Sequence, residues 1–557
     1  MLTGRDLSID QVIEVARYGA KVALSPEARQ RSADAYGLLL EAAAEGISVY
    51  WFNRGSGSGR EKFIFTGDPL SSENKKLLEA RQLAIFKRGA RAGLGPELAE
   101  EEIVRAMMVV RANTMTYEAA SPPLTQALLD LLNFRITPVV QSRGTVGEGD
   151  LGPLTNMGAA MVGAGNAYFK GVRMSAAEAL KQAGLEPLKP FAADDSELES
   201  SNAYATGQAA LMLHDAREAL SWADLVYAID LNGMNSSVSP LAQPVQANRP
   251  FQWLNWEAAR VLDMLRGSYL FERDEQRIIQ DPESLRASAI RQGAAWQAWA
   301  QLRADVLLQM NSSDHNPAVR VGASPSDSWE LGTPQLSQFY VRGGPRSNGK
   351  HGFILSNANW DPYPMANELE AFSIALANMD VAVAQRLVRF TNAFFTVIAP
   401  RDEAPGEPGR VDAAQGSEID SAALMQEIQG LINPVPPEGS ALINTVEDLQ
   451  TQTRLKVVRA RTLVNDTVDL LAEDLLMGTY WLDLRKTQGP GRSFGPAATA
   501  VWTAFRGTLP FNDGASQVRA VPIHELATDF IRGHPAVDFY PNNLREPDAE
   551  QRQPQLR

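Results

Sequence analysis

The chain has 557 residues, of which 44% are hydrophobic, and its formal net charge is −14. This length is enough for two or three domains with large cores. Because Lys and Arg form no stripe along the sequence, we expect neither nucleic acid nor an anionic membrane as a partner. The lack of cysteine excludes disulfides and thiol chemistry, and five histidines without ligand spacing predict no metal site. Because we find neither a signal peptide nor an apolar run of the roughly 18 residues that a membrane helix needs, we expect a cytoplasmic protein.

The first 48 residues predict short helices, one of them beginning with Ser25 as N-cap and Pro26 in its first turn. The segment 49–59 follows and reads Val-Tyr-Trp-Phe-Asn-Arg-Gly-Ser-Gly-Ser-Gly. It is not a phosphate-binding loop, since no Gly-Lys-Ser/Thr follows, and taken alone it is typical of a surface loop. A helical pattern is predicted from Glu97 to Asn113, with acidic residues early and arginines later.

The stretch 143–154 reads Arg-Gly-Thr-Val-Gly-Glu-Gly-Asp-Leu-Gly-Pro-Leu. Its glycines allow positive φ and close approach of the backbone to other groups. Asp150 is the predicted N-cap of a helix that carries Pro153 in its first turn. The loop therefore places Glu148 at a helix N-terminus, where backbone amides and the helix dipole favour negative charge. Taken alone, the stretch is a Gly-rich turn before a helix.

The same stretch resembles the active-site segment of the aromatic amino acid ammonia-lyase and aminomutase family, Gly-Ser/Thr-Val-Gly-Ala-Ser-Gly-Asp-Leu-x-Pro-Leu. In that family Ala-Ser-Gly cyclises and dehydrates to the electrophilic methylidene-imidazolone group (MIO), and the serine supplies the methylidene carbon. Here Glu148-Gly149 stands where Ala-Ser-Gly is expected, one residue shorter and without serine. We therefore expect no MIO at this loop and no other cofactor.

The resemblance implies three further catalytic residues. The loop 49–59 matches the family's Val-Tyr-Gly-x-Asn-Thr-Gly-Phe-Gly, so Tyr50 corresponds to the lid-loop tyrosine that acts as acid or base. Asn202 matches the asparagine of Gly-Leu-Ala-Leu-Ile-Asn-Gly-Thr, although the apolar approach to it is not kept; read alone, it caps a helix from about Ala203. Glu447 matches the family's active-site glutamate and, read alone, is an acid at the start of a long helix from Val446.

Other matches imply substrate contacts. The segment 280–286, Gln-Asp-Pro-Glu-Ser-Leu-Arg, resembles the family's Gln-Asp-x-Tyr-Ser-x-Arg, with Gln280 and Arg286 kept and Glu283 in place of the tyrosine. Arg286 is expected to bind a substrate carboxylate as a bidentate fork. Asn316, in Asn-Ser-Ser-Asp-His-Asn-Pro, matches the family's Asn-Ser-x-x-Asp-Asn-Pro and is expected to be a polar contact.

The remaining matches concern the substrate side chain. Asn359-Trp360-Asp361 aligns with the family's Asn-Phe-His/Gln, so Trp360 can stack on a ring and Asp361 is another acidic replacement. The family's side-chain selectivity pair falls on Gly89 and Ala90. Because these two residues are small, they offer no contact to a ring hydroxyl or imidazole and leave room for a larger group.

The resemblance extends from about residue 30 to about residue 540 and implies an all-α fold of the ammonia-lyase/fumarase-like type. We predict a loop-rich N-terminal domain at 1–200, a central bundle of long helices at 201–485, and a helical C-terminal cap at 486–557. The family also implies a homotetramer whose active sites take residues from three subunits.

Three functions are compatible with these residues. The favoured one is an MIO-independent lyase-type enzyme in which added carboxylates perform acid–base chemistry on a small carboxylate substrate, including one with a cationic group. The added carboxylates are Glu148, Glu283 and Asp361, and Glu148 is the candidate catalytic acid or base or the partner of a substrate cation. The chemistry covers elimination, addition, isomerisation and cyclisation. The alternatives are a conventional ammonia-lyase or aminomutase, for which Gly55-Ser56-Gly57 is the only nearby triad and lies in the wrong loop, and an inactive binding or scaffold homologue.

Overall fold

The computed structural model describes residues 1–275, 277–390, 412–511, 522–541 and 544–548. The structure is 59% helical and 7% strand, which confirms the mostly helical fold class. The chain forms two compact units. The first comprises Met1–His214, Asp305–Asn367 and Val435–Val458, and the second comprises Asp215–Ala304, Glu368–Pro434 and Arg459–Arg557. The three-domain division stays a prediction.

Four of the five boundaries between the units lie within long helices: Ala203–Met234, Ser288–Met310, Tyr363–Phe390 and Thr453–Gln488. Within the second unit, fully buried Arg386 connects all four helices. It donates to Asp230 at 2.5 Å, to Ser288 Oγ at 2.7 Å and to Asp474 at 3.2 Å. Because a buried charge is costly unless it is paired, this network ties these helices together as a bundle.

Shorter helices complete both units. Those of the first unit are Ile9–Ala16, Pro26–Ala44, Ser72–Arg88, Glu101–Thr114, Pro122–Phe134, Leu151–Met161, Ala176–Ala183, Asp194–Glu199 and Pro334–Ser337. Those of the second unit are Gln243–Ala247, Gln252–Met264, Glu283–Arg286, Asp412–Leu431, Pro496–Thr508 and Ile523–Gly533.

Small antiparallel sheets occur in the first unit. Leu94–Glu97 pairs with Gln141–Arg143 immediately before the Gly-rich loop. Asn166–Phe169 lies between Ile136–Pro138 and Val172–Ser175. Gly352–Leu355 lies between Ala318–Val321 and Tyr340–Val341.

A hydrophobic cluster supports the loop that contains Tyr50. The helix Pro26–Ala44 begins as predicted, with Ser25 Oγ accepting the Ala28 amide at 3.1 Å. Its buried leucines share one cluster with Val49 and Phe52, which are 2% and 3% exposed. These two anchors flank Tyr50 and hold the base of its loop.

Two predicted helix starts are wrong. The helix predicted from Glu97 begins at Glu101, because Glu97 belongs to a strand and pairs with Arg173 at 3.0 Å. The helix predicted from Val446 begins at Thr453. Glu447 instead bridges to Leu442 across a turn whose residues 443–445 have positive φ, a conformation that no helix contains.

The expectation that no segment has the length and apolar character of a membrane helix also needs correction. Within the described residues, Tyr363–Phe390 is long and apolar enough by these two criteria. However, 61% of its most apolar window is buried inside the protein, as in the core helix of a soluble protein.

Candidate active site

The Gly-rich loop is held by its own hydrogen bonds. Thr145 Oγ1 accepts the Gly147 amide at 3.0 Å and donates to the Gly149 carbonyl at 3.1 Å. Gly147 and Gly149 have φ of 100° and 76°, the left-handed region that favours glycine. The Gly152 amide donates to the Gly144 carbonyl at 3.1 Å and closes the loop onto the following helix.

The segment before the helix Thr453–Gln488 packs directly on this loop. The Gln452 amide donates to the Val146 carbonyl at 2.8 Å. A Cβ placed on Gly147 would lie 2.1 Å from Thr451 Oγ1 and 2.7 Å from the Gln452 nitrogen. Gly147 is therefore required by close approach as well as by its φ, and residues 451–452 form one wall of the site.

Glu148 is 7% exposed, and neither of its carboxylate oxygens completes a hydrogen bond with a described residue. Burial, followed by the carboxylate of Asp361, raises its pKa to about 7; the Thr451 amide lies near enough to lower the pKa, and Glu447 raises it further. The charged groups that act on Glu148 are thus both carboxylates. The helix N-terminus is predicted to keep Glu148 ionised, but burial and the two neighbouring carboxylates oppose that effect.

Asp361 and Glu447 are half-buried partners of Glu148 in this acidic cluster, which we define as Glu148, Asp361 and Glu447. Asp361 Oδ1 accepts the Tyr363 amide at 2.9 Å, so this side chain is fixed at the start of the helix Tyr363–Phe390. Burial raises the pKa of Glu447 above its usual range. Three neighbouring carboxylates favour either a bound cation or a shared proton.

Tyr50 lies beside this cluster. Its hydroxyl oxygen accepts the Gly57 amide at 3.1 Å. Burial raises its pKa, the Gly57 amide lowers it, and Glu447 raises it. The Gly57 amide is therefore positioned to stabilise a tyrosinate, whereas Glu447 opposes one, and the balance depends on the charge of the cluster.

Asn202 connects the Gly-rich loop to the segment 359–361. It is fully buried; its Oδ1 accepts the Gly149 amide at 3.2 Å, and its Nδ2 donates to the Trp360 carbonyl. The interpretation of Asn202 as a side-chain helix cap is therefore wrong. Its amide instead fixes the two chain segments that carry Glu148 and Asp361.

The capping role that the sequence assigns to Asp150 is also reassigned. Its side chain makes no cap hydrogen bond to the helix Leu151–Met161. Instead, Oδ2 accepts the Ala205 amide at 2.9 Å, in the first turn of the helix Ala203–Met234. The carboxylate thus joins the Gly-rich loop to a different helix, a contact that local spacing does not reveal.

Asn316 and Asn359 position the same region from the other side. Asn316 Oδ1 accepts the Asn357 amide at 3.0 Å, and the Asn316 amide donates to Ser200 Oγ at 3.2 Å. The exposed Asn359 donates its amide to Asn357 Oδ1 at 2.7 Å. In this structure Asn316 therefore orders the segment before Trp360, and its contact with substrate stays a prediction.

Gly89 and Ala90 differ in their surroundings. Gly89 is buried, and a Cβ there would lie 2.4 Å from the Thr155 carbonyl oxygen, so its small size is required by packing on the helix Leu151–Met161. Ala90 is exposed. Packing explains Gly89 without any substrate, and the role of both residues in side-chain selectivity stays a prediction.

Gln280, Glu283 and Arg286 belong to the second unit. Arg286 donates through Nε to the Asp281 carbonyl at 3.1 Å, and its Nη2 lies 3.4 Å from Oε1 of Glu283. The side chain of Glu283 is 86% exposed, and Gln280 is exposed as well. An exposed pair of this kind contributes about 0–1 kcal/mol, so a substrate carboxylate can displace Glu283. The carboxylate-binding role of Arg286 stays a prediction.

The residues of the Gly-rich loop do not fit MIO. The loop lacks the serine that supplies the methylidene carbon, and the buried Glu148 side chain occupies its place in the motif. The Gly147 and Gly149 amides already donate to Thr145 and Asn202. What the arrangement offers instead is an acidic cluster beside a tyrosine.

Comparison with known proteins identifies the family to which this chain belongs. The family model of the aromatic amino acid lyases matches residues 7–507. Histidine ammonia-lyase 2 of Fusobacterium nucleatum is 25% identical over 493 residues, which cover 88% of this chain and 89% of the relative. Histidine ammonia-lyase of Symbiobacterium thermophilum is 27% identical over 506 residues, covering 90% and 91%.

Solved structures share the fold. Ergothionase, an ergothioneine-degrading enzyme from Treponema denticola, superposes with a TM-score of 0.80 at 24% identity, covering 96% of this chain and 98% of that one. Tyrosine aminomutase from Streptomyces globisporus gives a TM-score of 0.79 at 23% identity, covering 96% and 97%.

Proposed function

Because this chain belongs to the aromatic amino acid lyase family, we propose that it is a carbon–nitrogen lyase that acts without MIO on a small amino-acid-derived carboxylate. The observation that carries this proposal is the Glu148 carboxylate. It is buried, has no hydrogen-bond donor with complete geometry among the described residues, and lies under the influence of Asp361 and Glu447. A buried carboxylate with two others beside it needs a cation or a proton.

The cation that fits this cluster is the amine of the substrate. A quaternary ammonium group has no N–H proton that a base would remove before the β-proton, and it cannot add to an electrophile. It is therefore the class of amine for which MIO has no use. Such a group also needs no hydrogen-bond partner. Aromatic faces commonly accompany its recognition, and Tyr50 beside the cluster and Trp360, which the sequence predicts to stack on substrate, are the candidates.

The reaction is a β-elimination. A base takes the β-proton, the C–H electron pair forms the carbon–carbon double bond, and the Cα–N pair leaves with nitrogen as a neutral tertiary amine. Tyr50 is our candidate base, as the family resemblance implies. Binding of a cation in the acidic cluster offsets the negative charge of Glu447 and so lowers the pKa of Tyr50, while the Gly57 amide stabilises the tyrosinate.

General acid–base groups contribute only about 10²–10⁴-fold, so the substrate must supply the rest of its own activation. A quaternary amine leaving group attached to a carbon beside a carboxylate does so. Ergothioneine, on which the structural neighbour from Treponema denticola acts, is a trimethylammonium betaine of this class. The family resemblance assigns the carboxylate of such a substrate to the Arg286 guanidinium.

The test is turnover of a panel of amino acids and their betaines. The purified protein is incubated with histidine, phenylalanine, tyrosine and ergothioneine, and the release of ammonia, of trimethylamine and of the unsaturated acid is measured. We expect trimethylamine release from a betaine and no ammonia release. Glu148→Gln, which removes charge but keeps shape, should lower kcat/KM by at least about 10².

Asp448→Asn provides the matched control, because it removes an exposed carboxylate next to Glu447. This variant should keep full activity. Ammonia release by the unmodified protein, or full activity of Glu148→Gln, contradicts the proposal. A loss of about 1 kcal/mol of stability with retained turnover would assign Glu148 a purely structural role. The homotetramer and the cytoplasmic location also stay predictions; analytical ultracentrifugation tests the former.

A further inference from the structure

A second cluster of buried titratable side chains lies in the first unit and takes no part in the proposed reaction. Glu118, Glu197 and His315 are each 0–1% exposed. One carboxylate oxygen of each glutamate and one ring nitrogen of His315 lie within 4.8 Å of one another. His315 Nε2 is 3.3 Å from Glu197 Oε2.

Most polar atoms of this cluster lack a well-formed hydrogen bond, although His315 and Glu197 lie at ion-pair distance. Both oxygens of Glu197, both ring nitrogens of His315 and Oε2 of Glu118 make no hydrogen bond of acceptable geometry with a described residue. Only Oε1 of Glu118 is satisfied, by Ser313 Oγ at 2.8 Å. Because buried polar groups are almost always paired, this many open ligand atoms in one place indicates a group that fills the centre.

The neighbouring arginine does not fill this role. Arg111 is fully buried and donates to the Leu198 carbonyl at 3.1 Å, to Thr114 Oγ1 at 2.8 Å and to Asp314 Oδ1 at 3.1 Å. Its charge is thus balanced by Asp314. The carboxylates of Glu118 and Glu197 are left with a single imidazole between them.

The sequence departs from the family motif at two of the three positions. Counting back from Asn202, Glu197 stands at the first glycine of Gly-Leu-Ala-Leu-Ile-Asn-Gly-Thr. Counting back from Asn316, His315 stands at the aspartate of Asn-Ser-x-x-Asp-Asn-Pro. These two departures from the family motif meet in space and supply complementary ligands.

We propose that Glu118, Glu197 and His315 bind a divalent transition-metal ion. Two carboxylates and one imidazole are ligands typical of Mn²⁺, Fe²⁺, Co²⁺ and Zn²⁺. With metal–ligand distances of about 2.0–2.2 Å, neighbouring ligand atoms are roughly 3.0–3.5 Å apart. The His315–Glu197 distance already has this value, and the Glu118 ligand oxygen lies within 4.8 Å of the other two ligand atoms.

The ion has a structural role. His315 immediately precedes Asn316, and Glu197 lies five residues before Asn202. Asp314, next to His315, joins the two segments, because it accepts the Asn202 amide at 3.0 Å and the Ser201 hydroxyl at 2.5 Å. Metal binding therefore fixes the two segments that position Asn202 and Asn316. Ligand spacing along the sequence predicted no such site, because the three residues come from separate segments.

The test is metal binding by the full-length protein. After dialysis against a chelator, the protein is titrated with Zn²⁺, Mn²⁺ and Co²⁺ separately, with metal content measured by mass spectrometry and Co²⁺ coordination by visible absorption. We expect one ion per chain, a rise in melting temperature, and a loss of affinity of at least about tenfold in Glu197→Gln and in His315→Gln.

His524→Gln is the matched control. His524 lies with Asp420 and Glu473 in a more exposed cluster whose ligand atoms also lie within 4.8 Å of one another, so it can also bind added metal. Binding that survives His524→Gln and is lost in His315→Gln supports the proposal. The proposal is overturned if the unmodified protein binds less than about a tenth of an equivalent of all three metals. It is also overturned if His524→Gln alone abolishes binding. If the buried variants do not fold, the titrations of the unmodified protein and of His524→Gln together still decide the matter.

Discussion

After burial, the Asp361 carboxylate makes the largest contribution to the raised pKa of Glu148, about 7. Asp361 is itself held by the Tyr363 amide at 2.9 Å, so it cannot simply turn away. The two carboxylates come from segments more than two hundred residues apart, and Asn202 joins those segments. Glu148 is therefore poised to change its charge near neutral pH.

Asp361→Asn should shift the pH dependence of activity. If Glu148 binds a cation, activity rises as pH increases through its pKa, because the ionised form is the active one. Removing the Asp361 charge lowers that pKa, so the rising limb of kcat/KM should move to lower pH by roughly 0.5–1 unit. Asparagine keeps the Oδ1 acceptor for Tyr363. The same shift in Asp448→Asn would point to a general charge effect and contradict the pairing.

The intact mass of the purified protein tests whether MIO forms. We expect the encoded mass, allowing for removal of Met1, because residues 147–149 contain no serine to dehydrate. Peptide mapping of residues 143–154 should return an unmodified backbone. A loss of two waters in this peptide, or in one that contains residues 55–57, would restore the conventional ammonia-lyase or aminomutase interpretation.

The sequence predicted those features that depend on local chemistry. Ser25 caps the helix Pro26–Ala44, because a cap depends on a few neighbouring residues. The helix predicted from about Ala203 also begins at that residue, although the Asn202 side chain does not cap it. The family motifs also identified residues that meet in the first unit, such as Glu148, Asp361 and Glu447.

Long-range contacts were not predictable in this way. Asp150 has the sequence position of an N-cap, but its carboxylate binds the amide of Ala205 in another helix. Glu447 looks like the first acid of a helix, but three positive-φ residues before it delay the helix to Thr453. The cluster of Glu118, Glu197 and His315 left no spacing signal either. In each case the deciding partner is distant in sequence.

Arg286→Lys should weaken binding of a carboxylate substrate. Lysine keeps the charge but loses the planar fork, so the Kd for ergothioneine, measured by calorimetry, should rise roughly tenfold or more. Glu283→Gln removes the present partner of Arg286 and should leave the Kd equal or lower it. Arg273→Lys changes another exposed, paired arginine of the second unit and serves as control. Equal binding by the unmodified protein and Arg286→Lys would refute the carboxylate role.

The last prediction concerns Gly147, on which the shape of the Gly-rich loop depends. In Gly147→Ala the added Cβ clashes with Thr451 Oγ1 and the Gln452 nitrogen. The alanine must also adopt an unfavourable φ of 100°. Gly46→Ala is the matched control, since Gly46 has φ of 82° and nothing within 4 Å of its Cβ position. Both variants should lose about 1 kcal/mol of unfolding free energy from backbone strain. Gly147→Ala should lose roughly 1–3 kcal/mol more from overpacking.

The clash at Gly147 should also change the site. Displacing Thr451 moves the amide that lowers the Glu148 pKa, so the rising limb of the activity profile should move to higher pH, opposite to the effect of Asp361→Asn. Gly46→Ala should leave this limb unchanged. Thermal unfolding and the pH profile of kcat/KM measure the two effects independently. Equal destabilisation by the two substitutions would show that strain alone, and not the contact with residues 451–452, makes glycine necessary at position 147.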